Sequence, residues 1–525
     1  MMHHPILING EWREASFPVS SFKAVNQLTG KQLPDSFPVS SFLDLDEMLQ
    51  AEEASHNAIL ELTFECRAEF LRQLAEELEK NAEELTQTAM AETGFSLKPF
   101  LLDQDFSLMI KQLIEASEYC SNRTWREATI DSRNNLRSIR GPLNGPVVIF
   151  GPACNPFSLN SCGGNDFACA FAAGNSIIAK SNPGHPLTSY KLARIISITA
   201  AKLNFPAASF QFFFNTNNDL GYRLAAHPMI GALAFTGSHS AGLALKESAD
   251  HAGNLAFINM TGLNPVLILP GAVTERKTQL ANELSAAVLA NEGQTCKKPG
   301  LIFIVENKES SSLIRNLVEE FNTGTCKPLL SDLVARKLDS QVSGFIRLGA
   351  RKLSRKEFYQ PNPFVYPYTV LHLDLKTWLK QASQFQDEAF GPVTIFVTLE
   401  NEGQFCEALK PLDNCSAISI FSETSGADDP LYASLEPVLR GRSARLCNDR
   451  MPGFTAPGAG MADGGSFPAS NQPGFTFSGM PAAIKRFTLL QCFDGVKHNR
   501  LPADLQSQKP AGRFMRLIDG EYTDQ

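Results

Sequence analysis

The chain has 525 residues, 43% of them hydrophobic and 19% charged, with a formal net charge of -8. That length exceeds what one hydrophobic core supports and implies two or three domains. The acidic balance argues against a nucleic-acid surface, and no run of 18 apolar residues offers a membrane span.

In chain order, Ile6 to Trp12 places an Asn-Gly hairpin signal after a short strand. A turn at Leu28-Thr29-Gly30 separates two copies of Ser-Phe-Pro-Val-Ser-Ser-Phe, at 16–22 and 36–42. Two copies cannot build a solenoid. From Asp44 to about Leu102 apolar residues recur at helical spacing, which predicts two or three amphipathic helices, and 106–124 predicts another. The polar segment 127–142 reads as a strand-like arm. From Pro146 the pattern alternates β and α: a strand at 147–150, a helix at 158–173 closed by Gly174, a strand at 176–179 delivering Lys180, a helix at 187–203, strands at 209–214 and 231–235, and a helix near 218–226. Repeated βαβ units predict a doubly wound parallel sheet, whose ligands bind beyond the carboxyl ends of the strands.

A second α/β series starts at Asn264-Pro265-Val266-Leu267. It includes Cys296, a strand at 301–305, helices at 309–321 and 328–341 and a strand at 417–421. The Gly/Pro/Ser-rich tract 452–480 is expected as a loop ordered against a site. A strand around Phe487-Thr488-Leu489-Leu490 suits a sheet edge, and 507–525 reads as a polar tail, open to disorder. The amino terminus, Met1-Met2-His3-His4-Pro5, has neither a basic n-region nor a cleavable apolar core. Eleven cysteines, an odd number without a CxxC pair, read as reduced thiols, so a cytosolic location is expected. No His, Cys or carboxylate cluster has ligand spacing, and no metal is expected.

Four stretches carry chemistry. In Gly293-Gln294-Thr295-Cys296-Lys297-Lys298-Pro299-Gly300 a thiol follows a helical run and precedes two lysines, a setting for partial ionisation and nucleophilic attack. Gly293 would let backbone amides approach the sulfur. A small buried hydrophobe in a turn explains the same cysteine equally well. Phe235-Thr236-Gly237-Ser238 ends a strand and starts a helix, so its amides and the Ser238 hydroxyl suit a pyrophosphate, although any strand-turn-helix uses such residues. Lys180 offers a cation at a strand end, where an exposed lysine is the default. Glu388-Ala389-Phe390-Gly391-Pro392 sets a carboxylate before an aromatic and a bend, as a surface turn also does.

Together these pieces resemble the aldehyde dehydrogenase superfamily, in order from Ile8-Asn9-Gly10-Glu11-Trp12 to about Leu505. Within it, Ile268-Leu269-Pro270-Gly271-Ala272, the Cys296-Lys297-Lys298-Pro299-Gly300 exit and Gly464-Gly465-Ser466-Phe467-Pro468-Ala469 look most like the α-ketoglutaric semialdehyde dehydrogenase branch. The resemblance implies an α/β fold with a Rossmann-type NAD(P)-binding domain (1–126 and 143–260) and an α/β catalytic domain (261–450). It also implies an oligomerisation arm (127–142 and 484–506), an active-site loop (451–483) and a homodimer or homotetramer. By resemblance Cys296 attacks the aldehyde, and Asn155 helps bind the oxyanion. Lys180 and Glu388 hold the riboses, Gly237 and Ser238 face the phosphates, and Phe390 belongs to the cofactor site. Pro183, three residues after Lys180, is not acidic, which favours NADP while leaving NAD open.

Two departures stand out. The family's general-base Glu falls on Asn259 in Asn259-Met260-Thr261-Gly262-Leu263-Asn264-Pro265, and an amide cannot take a proton from water at neutral pH. The oxyanion loop reads Cys154-Asn155-Pro156-Phe157. Counted from Gly151, Cys154 takes the oxyanion position; counted back from Gly174, Asn155 does, and only Asn155 has a donor suited to an oxyanion. The leading expectation is NAD(P)-dependent oxidation of an aldehyde to the acid. One alternative is a CoA-acylating semialdehyde dehydrogenase, since that methylmalonate-semialdehyde branch also has Asn-Met. The other is a catalytically weakened fold kept for binding or assembly.

Overall fold

The computed structural model describes residues 3–260, 262–355, 364–454, 458–506 and 514–524. Its centre is a seven-stranded sheet in the order Ala256–Met260, Ala232–Gly237, Val147–Phe150, Ile177–Lys180, Phe210–Phe213, Ile6–Ile8, Glu11–Arg13. The first five strands run parallel, and the amino-terminal hairpin adds two antiparallel ones. Strands such as Val147–Phe150 are buried along their whole length, as continuous apolar runs require when helices cover both faces. Asn9 and Gly10 take φ of 47° and 78°, the left-handed pair that a two-residue hairpin turn needs.

The expected helical stretch before residue 102 resolves into Phe42–Leu60, Phe64–Lys80 and Ala82–Thr93. The last is closed by Gly94 at φ 71°, a left-handed cap. Helices Phe64–Lys80 and Ser107–Asn122 pack on each other, and Asn165–Ala173 and Pro186–Lys202 pack against this pair. The helix expected at 158–173 begins only at Asn165, after a run of turns. The 16–22 and 36–42 copies meet as an antiparallel pair, Ser20–Phe22 with Phe37–Val39.

A second seven-stranded sheet has the order Arg351–Lys352, Thr369–Asp374, Val393–Leu399, Leu301–Val305, Val266–Ile268, Cys415–Phe421, Ser443–Asn448. All its pairs are parallel except the first. Its helices include Lys308–Thr323 and Asp332–Arg347, the latter displaced towards the carboxyl side of the expected 328–341.

The third sheet corrects two expectations. The 127–142 arm and the late strand, which lack obvious partners in the sequence, pair with each other: Leu136–Pro142 lies antiparallel to Thr488–Asp494. The strand starts at Thr488, because Ala482–Phe487 is a 3₁₀ turn. Part of the polar tail is ordered too, as strands Arg516–Ile518 and Glu521–Thr523 complete the sheet; residues 507–513 and 525 lie outside the described set. Leu501, Leu505 and Phe514 join Ile130 and Ile139 in a small core of their own, which is why a tail polar on average still folds. Among the described residues no helix is long and apolar enough to cross a membrane.

Candidate active site

The first sheet changes direction of growth at Val147–Phe150, with later strands added on opposite sides. Its carboxyl edge there carries Gly151, Gly237 and Lys180, and ligands of such sheets bind in the crevice at this switch point. The chain leaves that edge after Met260 and enters the second sheet at Val266. The carboxyl edge of one sheet therefore lies beside the amino edge of the other. The loops before Val266, Leu301 and Val393 meet at that junction, and they carry Asn264, Cys296 and Glu388.

Lys180 is largely buried. Its ammonium donates to the Ser181 carbonyl at 3.0 Å and lies 5.5 Å from the centre of the Phe150 ring. Burial lowers it to about 8. Gly237 ends its strand, and Ser238 starts helix His239–Ala252 without a side-chain cap, so the first amides of that helix keep donor capacity. Phe390 packs against the core of the first sheet although its loop belongs to the second.

The loop that leads to Cys296 is shaped by backbone strain. Asn291, Glu292 and Gly293 are all left-handed, at φ 49°, 57° and 67°, and each non-glycine member costs about 1–3 kcal/mol. Buried contacts hold them there. Glu292 accepts from the Lys327 amide at 3.0 Å and from the Tyr368 hydroxyl at 3.2 Å. Gln294, fully buried, accepts from the Leu330 amide at 2.7 Å. Gly293 also meets a steric demand separate from any approach of its amide to the sulfur. A side chain there would collide with the Gly391 carbonyl, 2.1 Å from its Cβ, so the glycine lets the 291–294 and 388–392 loops touch.

Asn264, itself at φ 43°, ties the junction together. Its amide donates to the carbonyls of Cys296 at 3.0 Å and Lys298 at 3.3 Å, and its oxygen accepts from Ser416 at 2.8 Å. Lys298, fully buried, donates to the carbonyls of Ala389 at 2.7 Å and Val393 at 3.0 Å. Burial lowers its pKa and the charge of Glu388 opposes the drop. Lys297 points elsewhere, to Asp463 at 2.8 Å.

These orientations correct the expected ionisation of Cys296. Burial raises its thiol above the ordinary value, and the Lys297 charge only partly offsets this. The second lysine is spent on backbone carbonyls.

Opposite stands the 154–158 loop. Cys154 is buried, its thiol pushed well up by burial and then by the charges of Cys296, Asp105 and Glu388. Asn155 donates from Nδ2 to Asp105 at 3.0 Å and accepts from the Cys154 thiol at 3.4 Å. Asp105 also accepts from the amides of Phe157 at 2.9 Å and Ser158 at 3.2 Å and from the Ser158 hydroxyl at 2.5 Å. One buried carboxylate thus sets the whole loop. Its signal in the sequence was an acid on the apolar stripe Leu101, Asp105, Met109, at i and i+4 spacing.

Asn259 lies on edge strand Ala256–Met260, opposite Thr236. The 452–480 tract, described except for 455–457, covers that edge: Met260 donates to the Ala469 carbonyl at 3.0 Å, and the Asn471 side chain caps Ile258 and Ala256. The same tract supplies Asp463, which reading by motif did not single out.

A doubly wound sheet, joined at its carboxyl edge to the cysteine-bearing loop of a second α/β unit, defines a class of two-unit α/β folds. A profile of the aldehyde dehydrogenase family matches residues 12–427. The alpha-ketoglutaric semialdehyde dehydrogenase of Acinetobacter baylyi is 26% identical over 494 residues, 91% of this chain and 92% of that protein. Among solved structures, PnpE in complex with nicotinamide adenine dinucleotide aligns at a TM-score of 0.80 with 17% identity, covering 94% of this chain and 99% of that one. NADP-dependent glyceraldehyde-3-phosphate dehydrogenase from Bacillus halodurans, complexed with NADP, aligns at 0.78 with 18% identity and the same coverage. The chain belongs to the aldehyde dehydrogenase family.

Proposed function

We propose that this chain oxidises an aldehyde or semialdehyde to the carboxylic acid with NAD or NADP, through a thioester on Cys296. The observation that carries the reading is the placement of Cys296 at the junction of the two sheets, its loop tied to the 388–392 segment by Lys298 and Gly293. A dinucleotide fits the residues present. Only one Lys180 proton has an acceptor among the described residues, and the amides after Ser238 keep donor capacity. Lys180 and Glu388 would hold riboses, Gly237 and Ser238 the phosphates, and Phe390 would pack beside them. Bound there, the nicotinamide supplies the hydride acceptor.

The chain's own residues do the rest. The Cys296 thiolate adds to the aldehyde carbon. Asn155 is the oxyanion donor, since Asp105 takes only one of its two amide protons. Loss of hydride from that adduct leaves an acyl group on Cys296. Its release is the weak step, because Asn259 cannot activate water. That substitution supports a second reading, in which CoA thiol accepts the acyl group. A family fold kept for binding or assembly is the third. The eleven free thiols support a cytosolic site, and the exposed third sheet supports a homodimer or homotetramer.

The test is a pre-steady-state assay with NAD and NADP, a panel of semialdehydes, and CoA present or absent. The expected result is a burst of reduced cofactor near one per site, followed by a slow steady state. If CoA is the acceptor, it accelerates the steady phase. No burst under any condition, from protein that binds the cofactor tightly, would leave only the binding reading.

A further inference from the structure

The residues just before Cys296 are seated on the 324–330 segment by buried contacts. Glu292 Oε2 accepts from the Lys327 amide at 3.0 Å, and Gln294 Oε1 accepts from the Leu330 amide at 2.7 Å. Glu292 Oε1 lies 3.2 Å from the Tyr368 hydroxyl. Gln294 in turn donates from its backbone and side-chain nitrogens to the Asn291 carbonyl, at 3.1 and 3.2 Å. Asn291 and Glu292 are both held at left-handed φ, so the seat must supply what local preference does not. The side chain that meets both the 324–330 segment and Tyr368 is that of Glu292.

A proton count at Tyr368 decides the form of that acid. The hydroxyl has one proton and faces two oxygens, the Thr325 carbonyl at 2.8 Å and Glu292 Oε1 at 3.2 Å. A carbonyl can only accept. When Tyr368 gives its proton to an ionised Glu292, the nearer Thr325 carbonyl loses it. When Glu292 keeps a proton of its own, it donates to Tyr368 and Tyr368 donates to Thr325, so both bonds form at once. Glu292 and Tyr368 are 7% and 5% exposed, and inside a protein the arrangement that makes the extra bond is favoured. Burial also raises Glu292 above the ordinary carboxyl value, against the Lys327 amide, the Tyr368 bond and the Lys327 charge. Burial, then the charge of Glu292, raises Tyr368 and keeps it a phenol, with Cys326 as the further ionisable group beside it. We infer that Glu292 is a positioning residue for Cys296 and acts as the neutral acid, donating to Tyr368 to keep residues 291–294 on their seat. Its catalytic consequence rests on Cys296 being the aldehyde nucleophile.

The experiment follows amide hydrogen exchange across residues 290–296 in wild type, Glu292→Gln and Glu292→Asp, with thermal unfolding confirming that each variant folds. Gln keeps the length of Glu and has an N–H where the neutral acid has its O–H, whereas Asp is too short to reach Lys327 and Tyr368 together. At about pH 5.5 Glu292→Gln should exchange at the wild-type rate and Glu292→Asp about tenfold faster, the size of one lost buried hydrogen bond. The ratio of wild-type to Glu292→Gln rates cancels the intrinsic pH dependence of exchange, and it should stay at or above one as pH rises. A ratio below one that falls with rising pH would make the carboxylate the holding form and overturn the inference. So would a Glu292→Asp loop that exchanges like wild type. The burst of reduced cofactor should keep its rate in Glu292→Gln and slow about tenfold in Glu292→Asp, and an unslowed burst from a loosened loop would also overturn the positioning role. No burst from any of the three, with the exchange pattern as expected, would uphold the seat and overturn aldehyde oxidation.

Discussion

At the scale of single residues, the proposed function turns on Asn259. A positioned base contributes typically 10²–10⁴-fold, or roughly 3–5 kcal/mol of barrier, and an amide supplies none of it. Asn259→Glu is therefore expected to raise the steady-state rate tenfold or more while leaving the burst nearly unchanged. An equal rise in both phases would mean that release of the acyl group does not limit turnover. Cys296 makes a second, independent case. Its thiol is raised above the ordinary value of 9.0 by burial, so in the cofactor-free protein its alkylation by iodoacetamide should keep accelerating beyond pH 9. A plateau reached by pH 7.5 would show instead that the thiolate is stabilised there.

At the scale of elements, helix Pro186–Lys202 begins on a buried carboxylate. Glu92 accepts from the amides of Leu187 at 2.8 Å and Thr188 at 2.9 Å and from the Thr188 hydroxyl at 2.7 Å. Burial nevertheless outweighs these bonds and pushes it from 4.5 up to about 7. The folded state then holds a proton that the unfolded chain has lost, so this contribution to stability is full below about pH 4.5 and lost as pH rises through about 7. The whole effect is on the order of 3 kcal/mol. Glu92→Gln cannot ionise. Between pH 4.5 and 7.5 urea unfolding should therefore show wild type losing stability relative to the variant, and parallel curves would refute the shift.

At the scale of the whole molecule, the third sheet stands out from both α/β units. It is anchored by the buried pairs of Arg123 and Arg126 with Asp504 and by Arg140 and Lys485 with Glu127. Strand Thr488–Asp494 lies at its edge, with Leu489 and Leu490 at 36% and 63% exposure. An apolar open edge invites strand pairing, and in the proposed oligomer a second copy of this chain would supply the matching edge under twofold symmetry. Light scattering at micromolar concentration should show a dimer or dimer of dimers, and Leu490→Lys should shift it towards monomer. A monomeric wild type would defeat the assignment.

What the sequence determined by itself were features with local causes. Period-two and period-3.6 patterns placed most strands and helices, and the order of the Lys180 strand, Phe235–Ser238, Asn264–Pro265, Gly293–Cys296 and Glu388–Pro392 indicated the family. The proposed loss of a base at Asn259 rests on the motif alone, because an amide in place of a carboxylate is read from the sequence without coordinates. Element limits failed where tertiary contacts overrode local preference. Residues 158–164 satisfy a helical pattern, but Gly163 takes φ 93° and the Asn160 side-chain oxygen claims the Cys162 amide, and the helix starts later. The polar tail contributes strands because a distant sheet edge and Phe514 give it something to bury against. The site divides the same way. Composition shows two lysines after Cys296, whereas only the fold decides that one clamps the Ala389 carbonyl and the other faces Asp463. Charge, hydrogen bonding and burial act through space, so residues as far apart in the chain as Lys297 and Asp463 become partners only when the second sheet and the 458–480 tract are in place.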